Sequence, residues 1–484
     1  MHAPEPRSRR TAPFALLLAG LPLLAADCSQ DPQRQEAEAS AAAAIASAPA
    51  TTGPRVTLRL SGSLEGRLEP CGCASGQIGG LARRSFRLQG DRGRYDFLIE
   101  GGDLVGGGTV LDELKLMTLL TVLDDRRARY DAVALGPRDL QLDSGVLAGF
   151  LDGFPQLAFV ASDLVATPAP DQPAWPTRPF VDLAKEGCRV RIASLARAVP
   201  TNPAAGAPAF ERLEPAAAWE RAMAGVDPAS VRVLLVHGAA DAARACATLT
   251  PRPDLLVAIG DTAEPPHDPE FVDGVPLVQP GVRGRHLLDV TLAREGDRSK
   301  LVQYAPFALE GSRTAKGALQ DADVDAQILA HRHEVKAEDA RSKLANRLPT
   351  ANGAEYVGST KCASCHYAAG KAWEASKHGH AWRTLESAEE TKRYAWPVTW
   401  YPDCIACHTV GYGERSGFVS PEATPDLRGV GCESCHGAGS RHAADPTLHR
   451  LGKVDTQRCT QCHDYEQSPD FDYPARWKLI EHGK

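Results

Sequence analysis

The stretch Gly431-Cys432-Glu433-Ser434-Cys435-His436-Gly437 contains the pattern Cys-x-x-Cys-His, which decides the fold of the last part of the chain. The same pattern recurs in Cys362-Ala363-Ser364-Cys365-His366, Cys404-Ile405-Ala406-Cys407-His408 and Cys459-Thr460-Gln461-Cys462-His463. Two thiols at this spacing reach the two vinyl groups on one haem edge, and the adjacent imidazole is placed beneath the iron. The four copies therefore predict four covalently attached haem c groups.

Each motif contributes two attachment thiols and one proximal iron ligand. The predicted attachment residues are Cys362, Cys365, Cys404, Cys407, Cys432, Cys435, Cys459 and Cys462. The predicted proximal ligands are His366, His408, His436 and His463. Zinc sites would need cysteines grouped into sets of four ligands, and they would not explain a histidine directly after every second cysteine.

The composition changes beyond residue 355. Eight of the thirteen cysteines, nine of the fifteen histidines and five of the seven tryptophans lie in the last 129 residues, where the strand-like alternation disappears. Covalent haems supply the apolar bulk that such a segment lacks. We expect residues 356–484 to form a mainly α-helical multihaem cytochrome c domain.

The second axial ligand of each iron decides its potential and its reactivity. All three methionines, Met1, Met117 and Met223, lie outside this domain. The candidate distal ligands are the histidines outside the motifs, namely His378, His380, His442, His449 and His482. At least three bis-histidine haems are expected and one open haem is allowed, while any of these histidines could instead bind a haem propionate or lie on the surface.

Residues 55–310 alternate short apolar runs, such as 56–60, 231–236 and 255–258, with helix-like segments, which is typical of an α/β domain. Residues 311–355 have mostly helical spacing with many charges and predict a helical connector. We expect His331 and His333 in this connector to be solvated surface residues. Cys188 and Cys246 are expected to be small buried side chains, with a bridge between them as the alternative.

The first 28 residues have the pattern of an export signal. Arg7, Arg9 and Arg10 precede an interrupted apolar run, and Cys28 follows it, so residues 1–28 are a possible lipoprotein signal. Residues 29–54 form a predicted flexible linker. The protein is expected to be exported, either to the periplasm or as a membrane-anchored lipoprotein that faces the periplasm or cell surface, with a lipid on Cys28 as the possible attachment.

The formal net charge of −7 is spread over residues of both signs and gives no basic field that would attract nucleic acid. Nucleic acid is therefore not an expected partner.

Around the motifs, residues 356–482 resemble the tetrahaem cytochrome family typified by the electron acceptor of hydroxylamine oxidoreductase. The resemblance rests on Tyr356-Val357-Gly358, Trp373-Glu374-Ala375-Ser376-Lys377-His378, Cys407-His408-Thr409-Val410-Gly411-Tyr412 and the stretch around Cys432. It implies that His378 supplies a distal ligand and that the partners are redox proteins or a quinol-linked electron chain. Members of this family include both electron carriers and reductases of small molecules.

Residues 55–307 resemble the exported metallophosphoesterase and 5′-nucleotidase family, which implies a sandwich of two sheets. The resemblance rests on Gly79-Gly80-Leu81-Ala82-Arg83-Arg84, Glu100-Gly101-Gly102-Asp103, Tyr130-Asp131-Ala132-Val133-Ala134-Leu135-Gly136 and the strand that ends at His237. The family's two-metal site is degenerate here, because Ser63-Leu64-Glu65, Gly136-Pro137-Arg138-Asp139 and Gly260-Asp261-Thr262-Ala263 replace most of its ligands. Only Asp103 and His237 remain, so we expect no hydrolysis and no non-haem metal from this set.

Cys71 and Cys73 lie in the loop after the first strand, close in sequence to the lost ligands. This pair could form a disulfide, bind a thiophilic metal such as copper, or have no special role. The leading functional hypothesis is an electron carrier with the α/β domain as a docking or accessory module. A multihaem reductase that uses an open haem or the Cys71/Cys73 pair is the first alternative, and a metal-dependent phosphoesterase is the second.

Overall fold

The computed structural model describes residues 53–70, 77–168, 174–260, 262–311, 313–314, 317–452, 454–464 and 467–482. Cys28, Cys71 and Cys73 lie outside these residues, as does Asp261. No helix within the described ranges is both long enough and apolar enough to cross a membrane.

The strands occur in the first two thirds of the described chain. The first eight are β1 (Arg55–Ser61), β2 (Phe97–Glu100), β3 (Ala132–Ala134), β4 (Phe159–Val160), β5 (Leu164–Thr167), β6 (Val181–Lys185), β7 (Cys188–Leu195) and β8 (Ala209–Arg212). The others are β9 (Val231–His237), β10 (Leu255–Ile259), β11 (Glu270–Val272), β12 (Val275–Val278), β13 (His286–Glu295), β14 (Arg298–Ala308), β15 (Arg313–Thr314) and β16 (Gly317–Ala318).

The α-helices are distributed over both halves of the chain. In the first half they are α1 (Leu81–Gly90), α2 (Val110–Leu123), α3 (Ser144–Gly153), α4 (Pro215–Met223) and α5 (Ala240–Arg244). Next come α6 (Ala322–Ala337), α7 (Ala340–Leu344), α8 (Ser359–Ala363), α9 (Tyr367–Glu374) and α10 (Ala381–Glu390). The last are α11 (Pro402–His408), α12 (Cys432–His436), α13 (Ser440–Ala444), α14 (Thr456–Thr460) and α15 (Tyr473–Trp477).

Two six-stranded sheets form the centre of the α/β part. The first has the order β14-β13-β1-β2-β3-β4 and the second β11-β12-β10-β9-β7-β6. Strands β1 to β4 are parallel to one another, as are β7, β9, β10 and β12, so their carboxyl ends lie together within each sheet. Ligands of open α/β sheets bind at such ends, and here Asp103 follows β2 and His237 ends β9.

A dry apolar layer joins the two sheets. Leu58 and Ile99 of the first sheet pack in one cluster with Ile192, Val233 and Val257 of the second. Helices α1 to α3 cover the outer side of the first sheet, and α4 and α5 cover the outer side of the second. The predicted α/β sandwich followed by a mainly helical domain is confirmed.

The connector contains helices, but it begins with a small hairpin of β15 and β16. Helix α6 starts at an N-cap in which the Asp321 side chain accepts from the amide of Asp323. Its residues Val324 and Ile328 extend the core beneath α1 and α2.

The prediction that His331 lies on the surface is wrong. Its side chain is 2% exposed, and its Nε2 atom is 3.2 Å from the hydroxyl of Tyr401. The charged neighbours of His331 along α6 suggested a solvated face, whereas the cytochrome part of the chain covers it.

Candidate haem-binding site

Short helices carry the first cysteine of every motif. The second motif lies entirely within α11 and the third within α12, while the first and fourth begin at the ends of α8 and α14. The amides of His366 and His463 each lie 2.9 Å from the carbonyl of the first cysteine in the motif, four residues back. This helical turn places the two thiols and the imidazole on one face, as the sequence spacing requires.

Three of the motif histidines face a second imidazole. The ring centroids are 6.0 Å apart for His366 and His442, 6.0 Å for His378 and His463, and 6.1 Å for His436 and His482. Two imidazoles on opposite sides of one metal ion, with metal–nitrogen distances of about 2 Å, have centroids roughly 6 Å apart. The three pairs therefore fit iron atoms held between them.

His408 faces no other histidine ring within the described ranges, although its proton position is fixed. Its Nδ1 atom is 2.6 Å from the carbonyl oxygen of Ala381. His442 and His482 likewise point Nδ1 at the carbonyls of His449 and Ile480, each at 2.8 Å. An Nδ1–H group that donates to a carbonyl leaves Nε2 unprotonated and available to a metal.

Burial also favours the metal-binding form of these rings. Desolvation is the largest influence, and it lowers the pKa of the imidazoles of His378, His408, His436 and His463. Neutral imidazole is the form that binds iron, so these side chains need no proton release before they coordinate.

Apolar space adjoins the third motif. A cavity of about 310 Å³ is lined by Trp373, Val430, Cys435, His436, Trp477 and His482. A second cavity, of about 320 Å³, is lined by Cys435 and His436 on one side and by Arg450 and Arg458 on another. Apolar walls next to a few basic groups match a haem, which has an apolar ring and anionic propionates.

The thiols approach one another between motifs. The thiol of Cys432 in the third motif raises the pKa of Cys362 in the first, and the thiol of Cys407 in the second motif lowers the pKa of Cys462 in the fourth, so the two thiols of each pair are neighbours. The chain thus brings the first motif to the third and the second motif to the fourth.

Two of the five candidate distal residues have no ring partner within the described ranges. His380 precedes α10, and His449 contributes its backbone carbonyl to His442. His482 follows a turn rather than a helix, because α15 ends at Trp477.

Charged side chains of the α/β part meet around Asp103 and His237, the two residues that the sequence indicates as residual metal ligands. His237, at the end of β9, is 1% exposed, and its Nδ1 is 3.7 Å from Asp103 Oδ2. Arg138 NH2 is 3.6 Å from Glu65 Oε1, and Arg283 Nε is 3.0 Å from Glu65 Oε2. Arg138 and Arg283 thus both lie beside Glu65, and their guanidinium groups offset the negative charge of its carboxylate.

The pKa values in this cleft follow from burial and charge. Burial by itself would raise the pKa of Asp103, but His237 and Arg138 outweigh it, and the net shift is downward. Burial, followed by the nearby charge of Asp103, raises the pKa of Asp139 to about 8. No cluster of three or more metal-binding side chains occurs within the described ranges.

Cys188 and Cys246 carry separate thiols and are not bridged. Cys246 is buried in the core beside β10, whereas Cys188 is half-exposed and hydrogen-bonds to the carbonyl of Arg55 at 3.0 Å. Burial raises the pKa of both thiols.

Sequence reasoning missed the residues that join the two halves of the chain. Lys115 Nζ is 2.8 Å from Asp403 Oδ2, directly before the second motif, and Arg283 NH1 is 3.5 Å from Asp464 Oδ2, directly after the fourth. An acidic residue next to a haem motif was the only sequence signal for these contacts, and it does not identify a distant partner.

Residues 361–437 match the sequence model of the family described as Cytochrome c554 and c-prime. Cytochrome c-554 of Nitrosomonas europaea is 33% identical over an alignment of 143 residues, and the match covers 24% of this chain and 61% of that protein. The chain therefore spans less than two thirds of the length of this relative. The structure of reduced cytochrome c554 from the same organism covers 27% of this chain and 79% of that chain, at 28% identity and a TM-score of 0.21.

Two other solved structures are similar over a larger share of the chain. A 5′-nucleotidase precursor from Thermus thermophilus is 22% identical over 61% of this chain and 62% of that chain, with a TM-score of 0.47. An NAD nucleotidase from Haemophilus influenzae is 12% identical over 64% of each chain, with a TM-score of 0.49. The C-terminal part of the chain is thus similar to cytochromes of the c554 family, and its N-terminal part is similar to 5′-nucleotidase-like proteins.

Proposed function

We propose that the protein is a multihaem c-type cytochrome that transfers electrons through four haems, one at each Cys-x-x-Cys-His motif. A haem supplies one-electron redox chemistry when it is bound. The observation that carries the proposal is the set of three imidazole pairs with centroids 6.0 to 6.1 Å apart. Hydrogen bonding alone does not explain why three motif histidines each face a second ring at this distance.

The proposed axial pairs follow from these distances. His366 and His442 hold the first haem, His436 and His482 the third, and His463 and His378 the fourth. Two imidazole ligands make an iron six-coordinate and leave no position for a substrate, so these three haems serve as electron carriers.

His408 holds the second haem in this proposal, and no histidine ring among the described residues faces it, so the other axial position of that haem is proposed to be open. This observation favours the alternative function, a reductase in which the second haem binds a small molecule and the others supply electrons. The carrier function is preferred because three of the four sites are closed. The redox partner is proposed to be another redox protein or a quinol-linked electron chain.

The α/β domain is proposed to be non-hydrolytic. Arg138 and Arg283 support this proposal. The metals of a phosphoesterase ionise a bound water, whereas a fixed guanidinium group only neutralises a carboxylate. We further propose that the chain is exported, to the periplasm or as a lipoprotein anchored through Cys28, because haem c is attached outside the cytoplasm.

The proposal is tested on the full chain made in a host that attaches haem c. Mass spectrometry of the denatured protein should show four haem additions. Electron paramagnetic resonance should show three low-spin haems and one high-spin haem, and carbon monoxide should change the reduced spectrum of one haem.

Different outcomes separate the parts of the proposal. Fewer than four haem additions in mature protein contradict the cofactor count. Four low-spin haems without carbon monoxide binding contradict an open site at His408 and leave a pure carrier. Two or more high-spin haems contradict the assigned axial pairs.

A further inference from the structure

The two halves of the chain meet at the helix that carries the second motif. Lys115, on α2 of the α/β domain, forms an ion pair with Asp403 at 2.8 Å. The Lys115 side chain is 8% exposed and the Asp403 side chain is 43% exposed, so water screens the pair mainly from the Asp403 side. Asp403 directly precedes Cys404, the first attachment residue of this motif.

Buried apolar side chains pack together beside this ion pair. Tyr401, which begins the approach to α11, packs in one buried cluster with Leu111 of α2, Val335 of α6 and Ala340 of α7. Cys404 is packed against the same cluster. The attachment helix therefore rests on side chains of the α/β domain and of the connector.

Cation–π contacts extend this interface along the connector. The guanidinium of Arg332 lies 3.7 Å from the ring centroid of Trp396, and that of Arg341 lies 3.6 Å from the ring centroid of Trp400. The Tyr412 hydroxyl donates to the carbonyl of Arg341 at 2.8 Å. These contacts fix the segments on both sides of the second motif, and next to the fourth motif Arg283 forms a longer contact with Asp464, at 3.5 Å.

We propose that the α/β domain forms one wall of the second haem site and that the Lys115–Asp403 ion pair sets the reduction potential of that haem. This inference rests on the proposed function. Consecutive Cα atoms are about 3.8 Å apart, so the charge of Asp403 lies next to the residue that attaches the haem. Lys115 and Asp403 offset each other's charge there, and Arg67 and His331 also act on the Asp403 carboxylate, so removing either member of the pair changes the local charge by one unit.

The sign of each effect follows from electrostatics. Oxidised haem carries one more positive charge than reduced haem, so an uncompensated negative charge favours the oxidised form and lowers the potential. Lys115→Met leaves Asp403 unbalanced and should lower the potential of the second haem. Asp403→Asn leaves Lys115 unbalanced and should raise it. The double variant should return towards the wild-type value.

The experiment is a potentiometric titration of the full four-haem protein, with the second haem followed by its high-spin resonance signal and its carbon monoxide spectrum. At a fixed potential, each single variant should change the ratio of reduced to oxidised second haem severalfold, in opposite directions. The other three haems should be unaffected. Lys185→Met is the matched control, because Lys185 pairs with Asp96 at 3.0 Å within the α/β domain.

Several results would overturn the inference. These are unchanged potentials in both single variants, shifts of the same sign, or equal shifts of all four haems. If Lys115→Met does not fold, Asp403→Asn still tests the inference alone, because the reduction potential of the second haem is expected to rise in that variant. Haem counting and resonance spectra of the same samples report separately on the proposed function, so its failure is distinguishable from a failure of this inference.

Discussion

The imidazole rings of His366 and His442 lie nearly parallel, with their planes 21° apart and their centroids 6.0 Å apart, although the two residues are far apart along the chain. His442 lies in α13, after the third motif, while His366 belongs to the first. The loop after one motif thus provides the proposed second ligand for another motif. The haem sites are therefore not four independent local units.

His442→Ala should open the first haem, because it removes the ring that faces His366. We expect one low-spin resonance signal to be replaced by a high-spin signal, together with carbon monoxide binding at one more haem. His449→Ala is the matched control, since only the backbone carbonyl of His449 contacts His442. Equal spectra for the two variants would exclude His442 as a ligand.

His378→Ala and His380→Ala should differ in the same way. The ring of His378 faces His463 at 6.0 Å, whereas His380 lies at the start of α10 without such a partner. The first variant should convert one low-spin haem to high-spin and leave the number of attached haems at four. A changed spectrum in His380→Ala, with none in His378→Ala, would show that His380 and not His378 is the second ligand of the fourth haem.

Nucleotide hydrolysis is expected to be absent, with or without added manganese, zinc or calcium. Glu65 is neutralised by Arg283 at 3.0 Å, and Asp103 is engaged with Arg138 through the backbone amide at 2.8 Å. Phosphate release from nucleoside monophosphates measures this directly. Metal-dependent turnover that disappears in His237→Ala would show that the cleft still works as a phosphoesterase.

Acid should weaken the interface between the two halves of the chain through His331. Burial lowers the pKa of its imidazole to about 4 in the folded protein, whereas an unfolded histidine titrates near about 6.5. The unfolded chain binds more protons between these values, so the free energy of unfolding falls as the pH falls through this window. The shift corresponds to about 3 kcal/mol by pH 4.

His331→Gln should make the free energy of unfolding less dependent on pH, because glutamine offers Tyr401 a hydrogen bond but takes up no proton. Urea unfolding followed by circular dichroism at pH 7 and pH 5 gives the comparison. His267→Gln is the control, since the side chain of His267 is 57% exposed. An unchanged pH dependence in His331→Gln would assign the acid sensitivity to other groups.

Local features of this molecule were predictable and distant pairings were not. The haem motifs are complete within five residues, and the strands around residues 56–60 and 231–236 are apolar runs, so each is readable from its own segment. Five candidate distal histidines were identified, but only the folded chain places His442 opposite His366 and His482 opposite His436. The spacing along the chain carries no information about such contacts.

The burial of His331 was unpredictable for the same reason. Its helix has polar residues on several sides, and the surface that covers it is Tyr401, from a different part of the chain. The Lys115–Asp403 pair likewise depends on how the cytochrome part docks on α2. Both features lie at the interface between the two halves of the chain. Hydrophobic periodicity within one helix does not identify the surface against which that helix packs.

The approach of Cys362 to Cys432, and of Cys407 to Cys462, has a consequence for how the protein is made. In an oxidising compartment, neighbouring thiols of different motifs can be oxidised to a disulfide before their haems are attached. Such a cross-link would consume one attachment thiol from each of two haem sites. Assembly of the protein therefore demands a reductant that keeps these cysteines as thiols until each has formed its thioether bond.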